Sequence, residues 1–253
     1  MMREETVFGP IHSRRLGRSL GINLLPTRGK ICNFDCIYCE CGWNRDGKGD
    51  TVLPTAAKVR ADLENKLIEL MMDDTPIDSI TFSGDGEPTL NPEFPRIIED
   101  TVFLRDAYYP KAKVSVLSNA TRAHVPEVFE ALRKVDNPIL KIDAPTDALV
   151  AKINQPAPGY SLDRVIEALK RFEGNFVLQT MFLKSKDFDS SSKEVLDGWM
   201  RIVRQLKPRE IMVYTIDRPT PEKALEAFTV EQMKALVQPL IDEGFNIDIK
   251  GKE

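Results

Sequence analysis

Short β-rich runs alternate with longer helical patterns along the whole chain, and few folds tolerate that order. Candidate strands lie at 20–25, 79–83, 113–117, 139–142, 176–182 and 210–216, with a short last one at 245–249. Between and after them lie helical patterns at 54–72, 92–108, 126–135, 161–172, 192–206 and 229–243. In the first of these Val59, Leu63, Leu67, Leu70 and Met71 recur on one face, the 3.6-residue period of an amphipathic helix. Thr55 and Ser161 stand where N-caps belong, and Gly174 and Gly244 where helices stop. The strand candidates are nearly continuously apolar, as strands buried on both faces are. Such alternation implies parallel strands joined by right-handed crossovers. Six strand–helix units are too few for a closed eight-unit barrel. A doubly wound sheet and a partial barrel both satisfy the pattern. The chain has 253 residues with no linker and no internal repeat, so one domain over 1–253 is expected.

The unusual polar segments all follow a strand and precede a helix. They are the loop 26–41, Gly84-Asp85-Gly86-Glu87, Ser118-Asn119, Asp143 and Asp217-Arg218. In parallel α/β folds those positions gather at the C-terminal ends of the strands, where ligands bind. All four cysteines lie between Cys32 and Cys41. Structural disulfides would be spread to close long loops, whereas this crowding reads as metal binding. Cys32, Cys36 and Cys39 have the spacing C-x3-C-x2-C, and Cys41 follows two residues later. Three thiolates suit three irons of a cubane and leave a fourth iron open to an external ligand. A four-cysteine zinc site or a four-cysteine electron-transfer cluster are the alternatives. Zinc sites usually draw two pairs from separate segments, and the only histidines, His12 and His124, lie in no ligand-spaced cluster.

With aromatic Tyr38 just before the last cysteine, this loop resembles the signature of the radical S-adenosylmethionine enzymes. The resemblance implies an α/β partial (β/α)6 barrel of TIM type with parallel strands, a [4Fe–4S] cluster on Cys32, Cys36 and Cys39, and S-adenosylmethionine on the open iron. It implies a 5′-deoxyadenosyl radical that takes hydrogen from a substrate. Ser83-Gly84-Asp85-Gly86-Glu87-Pro88 resembles the family's Gly-Gly-Glu-Pro segment, with Asp85 inserted and Gly86-Glu87-Pro88 the firmer match. There it would accept hydrogen bonds from the methionine ammonium group. Ser118 and Asn119 are similar in position to contacts for the methionine carboxylate or the ribose; Asp143, beside the end of the fourth strand, is a candidate for the ribose hydroxyls by its own chemistry. Gln179 shares one face of its strand with Met181 and is a cofactor candidate, whereas Tyr214 reads as packing. Lys141 reads as an ion-pair partner. Cys41 and Arg218 are candidates on the substrate side, Arg218 as a clamp for a carboxylate or phosphate.

The stretch 9–25 together with 83–90 is similar to single-domain iron–sulfur oxidoreductases and to the radical domain of the wybutosine-synthesis enzyme, which works on a tRNA guanine. That points to an RNA base or a small molecule as substrate, with electrons from a separate flavodoxin or ferredoxin. Two other readings are an activase that plants a glycyl radical on a protein partner, and a non-enzymatic zinc module. The net charge is −4, which argues mildly against a large nucleic-acid footprint. The basic stretch Ser13-Arg14-Arg15-Leu16-Gly17-Arg18 is a local exception. No run of about 18 apolar residues occurs, and residues 1–5 lack the apolar core of a signal peptide. A cytoplasmic protein with no membrane span is therefore expected.

Overall fold

The computed structural model describes residues 5–13, 16–47 and 49–251. Arg14 and Arg15 of the basic stretch lie outside the described residues. The chain divides into two compact units. One contains residues up to 32, 44–118 and 125–138; the other contains 33–43, 119–124 and 139 onward.

In the first unit β1 (Val7–Ser13) and β2 (Gly17–Ile22) form an antiparallel pair. β3 (Ser79–Phe82) and β4 (Lys113–Ser118) continue from β2 in parallel, in the order β1-β2-β3-β4. Helices α1 (Ala56–Met72), α2 (Phe94–Tyr108) and α3 (Pro126–Lys134) alternate with these strands. Thr55 caps α1, its side chain accepting from the Lys58 N–H at 3.3 Å. The buried face of α1 is Ala56, Val59, Leu63, Leu67 and Leu70. Met71 was expected there too, but it is 51% exposed. It lies one residue, about 100° of turn, past Leu70, which already closes the buried stripe in the last turn.

A chain of small polar side chains crosses the buried interior of this unit. Ser19 on β2 meets Thr81 on β3 at 2.7 Å, and Thr81 meets Ser79 on the same strand at 3.0 Å. Ser79 reaches Ser115 on β4 at 3.1 Å. Asn137 donates to Ser115 at 3.1 Å. Every member finds a partner, which makes burial of these groups tolerable.

The strands and helices of the second unit start within β5 (Asn137–Lys141). They continue through α4 (Asp147–Ile153), α5 (Leu162–Lys170), β6 (Val177–Met181), β7 (Leu183–Lys184), α6 (Lys193–Leu206), β8 (Glu210–Tyr214), β9 (Glu226–Ala227), α7 (Val230–Asp242) and β10 (Ile247–Lys250). Its main strands pair in parallel in the order β5-β6-β8-β10, and β7 with β9 makes a two-residue antiparallel ladder. Ser161 caps α5 by accepting from Arg164 N–H at 3.3 Å. Trp199 anchors α6 against β6: it is 1% exposed and donates its Nε1–H to Thr180 at 3.0 Å.

The alternation of strands and helices is that of the partial parallel barrel. Three details depart from the sequence reading. The first strand starts at Gly17, not at 20, and is paired on its outer side by β1. Helix α4 occupies seven residues read as loop. The short β7–β9 pair falls below the length at which strand periodicity can show.

Candidate functional site

The cysteine loop leaves β2 and runs through bends and turns, with the Cys39 N–H closing on the Cys36 carbonyl at 3.1 Å. Cys32, Cys36, Cys39 and Cys41 are all half-buried, and none is in a disulfide. Burial pushes the Cys36 thiol up to about 11, against the opposing pull of the Asn154 hydrogen bond and the Lys141 charge. Among the described residues no three His, Cys, Asp or Glu side chains stand ready-gathered as metal ligands. The donor set itself, three soft thiols within eight residues, suits an iron–sulfur cluster.

In the first unit the glycine segment is tied to the start of this loop. Ile31 and Gly86 form a parallel bridge: Ile31 N–H donates to the Asp85 carbonyl at 3.2 Å, and Glu87 N–H donates to the Ile31 carbonyl at 3.0 Å. Gly86 has φ +139, and a Cβ there would stand 1.9 Å from the Ile31 oxygen. At Gly84 a Cβ would stand 1.9 Å from Asn23 Oδ1. Both positions need glycine for close backbone approach. Asn23 Oδ1 accepts from the N–H groups of Asp85 and Leu25, each at 3.1 Å. Glu87 Oε1 accepts from Thr89 N–H at 3.1 Å, Thr89 Oγ1–H at 2.5 Å and Ser118 Oγ–H at 2.8 Å. The structure thus brings together Glu87 and Ser118, two of the predicted cofactor residues.

In the second unit Asn119 is tied to Asn33, the residue after Cys32. It donates from Nδ2 to Asn33 Oδ1 at 2.7 Å, and its Oδ1 accepts from the Thr121 N–H and hydroxyl. Asp143 lies two residues beyond the end of β5, with a side chain closed to solvent. Its Oδ2 accepts from the Tyr38 hydroxyl and from Asn154 Nδ2 at 2.7 Å, and its Oδ1 accepts from Met181 N–H at 2.8 Å. The carboxylate expected to reach a ribose is therefore engaged by the protein and holds Tyr38 of the cysteine loop in place. Burial, reinforced by this carboxylate, raises the Tyr38 hydroxyl well above its usual value, so it stays a proton donor.

Lys141 lies 3.6 Å from Asp143 Oδ1 and donates to the Tyr214 hydroxyl. Its ammonium sits over the rings of Tyr38 at 5.2 Å and Tyr214 at 4.8 Å. Burial alone would lower its pKa, but Asp143 and Tyr214 win and raise it, so the group is a fixed cation. Tyr214, read as packing, is thus also a polar partner. Gln179 is 4% exposed, and its Nε2 has no acceptor among the described residues. A buried donor left unmatched by the protein can be satisfied by water or by a bound ligand. Arg218 pairs with Glu40, the residue just before Cys41, at 2.8 Å. Both partners are exposed.

Sequence reasoning missed Asn23 and Asn154. Neither belongs to a motif; Asn154 follows α4 and reaches the loop across 118 positions. No signal in a single sequence marks such a contact.

The site and fold define a class. Residues 27–197 match the Radical SAM superfamily, and the chain belongs to that superfamily. A protein of Brachyspira hyodysenteriae named GTPase Obg is 30% identical over 92% of this chain, which spans 33% of that protein. A UPF0026 protein of Helicobacter pylori is 30% identical over 90% of this chain, which spans 71% of it. Among solved structures, a radical SAM methyltransferase from Sphaerobacter thermophilus matches 93% of this chain and 66% of its own at TM-score 0.70 and 18% identity. TYW1 with a lysine-pyruvate adduct matches 90% of this chain and 74% of its own at TM-score 0.63 and 13% identity. These two likenesses show the fold, a partial (β/α)6 barrel.

Members of this superfamily are enzymes that use a [4Fe–4S] cluster, S-adenosylmethionine and an external reductant. No helix among the described residues is long and apolar enough to cross a membrane.

Proposed function

We propose that residues 1–253 act as one radical S-adenosylmethionine domain in which Cys32, Cys36 and Cys39 hold the cluster. The observation that carries this is the bridge between Ile31 and Gly86. It lays the segment expected to meet the methionine ammonium against the residue that precedes the first cluster cysteine. When bound, the cluster and S-adenosylmethionine supply a 5′-deoxyadenosyl radical that takes a hydrogen atom from an RNA base or a small molecule.

The chain's own groups divide the remaining work. Backbone carbonyls around Gly84, Asp85 and Gly86, with the Glu87 carboxylate, accept from the ammonium group. Ser118 orients Glu87, and Asn119 steadies Asn33 beside Cys32. Gln179 donates its unmatched amide hydrogen to the nucleoside or the substrate. Asp143 holds Tyr38 and with it the Cys36–Cys39 part of the loop. Cys41 and Arg218 face the substrate side, with flavodoxin or ferredoxin as the electron source.

The test is anaerobic reconstitution with iron and sulfide, followed by dithionite and S-adenosylmethionine. Wild type is expected to bind about four irons and release 5′-deoxyadenosine. Cys32→Ala, Cys36→Ala and Cys39→Ala are each expected to lose the cluster, and Cys41→Ala to keep it. Zinc binding without iron or sulfide, or a full cluster that makes no 5′-deoxyadenosine, overturns the proposal.

A further inference from the structure

The loop that carries Cys36 is laced to the segment after α4. Asp35 N–H donates to the Asn154 carbonyl at 2.9 Å, Ile37 N–H to the Ile153 carbonyl at 3.0 Å, and Ala157 N–H to the Asn33 carbonyl at 2.8 Å. At the centre of that lacing stands the Asn154 side chain, 1% exposed. Its Nδ2 lies 2.7 Å from Asp143 Oδ2, 3.0 Å from the Tyr38 hydroxyl and 3.4 Å from Cys36 Sγ. An amide nitrogen has two hydrogens. One points to the charged Asp143 oxygen, the shortest of the three contacts. The other is left for the Tyr38 oxygen and the Cys36 sulfur. Because Tyr38 gives its own hydrogen to Asp143, its oxygen faces Asn154 only as an acceptor.

We propose that Asn154 is a positioning residue that donates an N–H···S hydrogen bond to Cys36 and thereby raises the reduction potential of the cluster bound there. The inference rests on Cys36 being a cluster ligand, as proposed above. Reduction places an extra electron on the cluster and makes its sulfurs more negative. A hydrogen bond to a ligating sulfur is stronger in that state and favours it. The carboxylate of Asp143 and the helix end at Asn154 fix where the amide points, so the bond is present before any electron arrives. A weaker donor would leave the cluster harder to reduce by a mild external reductant.

The test compares wild type with Asn154→Leu, which keeps the shape and removes the donor. The backbone carbonyl of Asn154 that holds Asp35 is retained. Both proteins are reconstituted, assayed for iron and sulfide, and titrated anaerobically with EPR detection in the absence of S-adenosylmethionine. The variant is expected to carry a full cluster whose reduced-to-oxidised ratio at a fixed potential falls about tenfold, about 59 mV for a one-electron couple. A second measurement needs no variant: pulsed EPR of the reduced wild-type cluster, with asparagine labelled by ¹⁵N at the side-chain amide, is expected to show a ¹⁵N coupling. An unchanged midpoint in a fully loaded variant overturns the inference. So does the absence of ¹⁵N coupling, which decides alone if the variant does not load. A wild type that assembles no cluster sinks the prior reading instead, and this inference with it.

Discussion

Asp143→Asn isolates the polar knot that holds the cysteine loop. The substitution keeps the shape and leaves Oδ1 able to accept from Met181 N–H. It places an amide opposite two donors, the Tyr38 hydroxyl and Asn154 Nδ2. It also removes the charge that faces Lys141 at 3.6 Å, where the lysine side chain is only 14% exposed. Hydrogen bonds to a charged group contribute about 1.5–3 kcal/mol each, and breaking one side of a buried pair costs about 3–5 kcal/mol. Two such bonds and an ion pair are disturbed, and part of the carboxylate's desolvation is relieved. The net loss is expected at about 3–5 kcal/mol. In a chain of this size each kcal/mol moves Tm by about 2–4 °C, so the shift is about 6–20 °C. Urea and thermal melts of cluster-free protein, followed by circular dichroism, measure it without any contribution from cofactors. Asp143→Asn with Lys141→Met is expected to cost less than the two changes added, because the lysine is then no longer left alone. A loss under about 1 kcal/mol, or strict additivity, would refute the reasoning.

Gly86→Ala is expected to destabilise by about 3 kcal/mol, since φ +139 strains any side chain and the new methyl meets the Ile31 carbonyl; the urea midpoint and the iron retained after reconstitution report it. Gln179→Leu removes a buried donor that has no acceptor. Cluster-free stability should hold or rise by about 1 kcal/mol, while the Kd of the reconstituted protein for S-adenosylmethionine weakens about tenfold by equilibrium dialysis. Asp136→Asn tests acid stability. Burial raises this carboxyl, but Val114 N–H, Arg105 and Lys113 outweigh burial and hold it below the usual range. Its contribution is therefore present above the unfolded value of about 3.9 and is lost as pH falls through the lower folded value. The variant should be less stable at neutral pH and show a shallower decline in urea titrations below about pH 4.

The parallel core of the fold was legible because its signals are local. Each helix carries its own period, and caps such as Thr55 and Ser161 stand within three residues of what they bind. The cysteine loop was legible for the same reason. The antiparallel partner β1 was not, since Pro10 and Gly9 interrupt any alternation in Val7–Ser13. Helix α4 is too short for a period to stand out from the loop that follows Pro145. At the site, Asp143 was recognisable as a polar residue at a strand end, but not its engagement by Tyr38, Asn154 and Met181. Those partners lie far apart in sequence, and only folding brings them to one carboxylate.

The chain of hydroxyls through β2, β3 and β4 has a consequence for how the strands find one another. A parallel strand that is apolar on both faces can slide along its neighbour with little change in burial. The side-chain oxygens of Ser19, Thr81, Ser79 and Ser115 satisfy one another only when these strands pair as they do, with Ser19 beside Ser79, Ser79 beside Lys113 and Thr81 beside Ser115. A slip of one residue would strand several hydroxyls among apolar groups, each costing about 1–3 kcal/mol. The ladder thereby acts as a proofreading element during assembly, penalising misaligned sheets that hydrophobicity alone would accept.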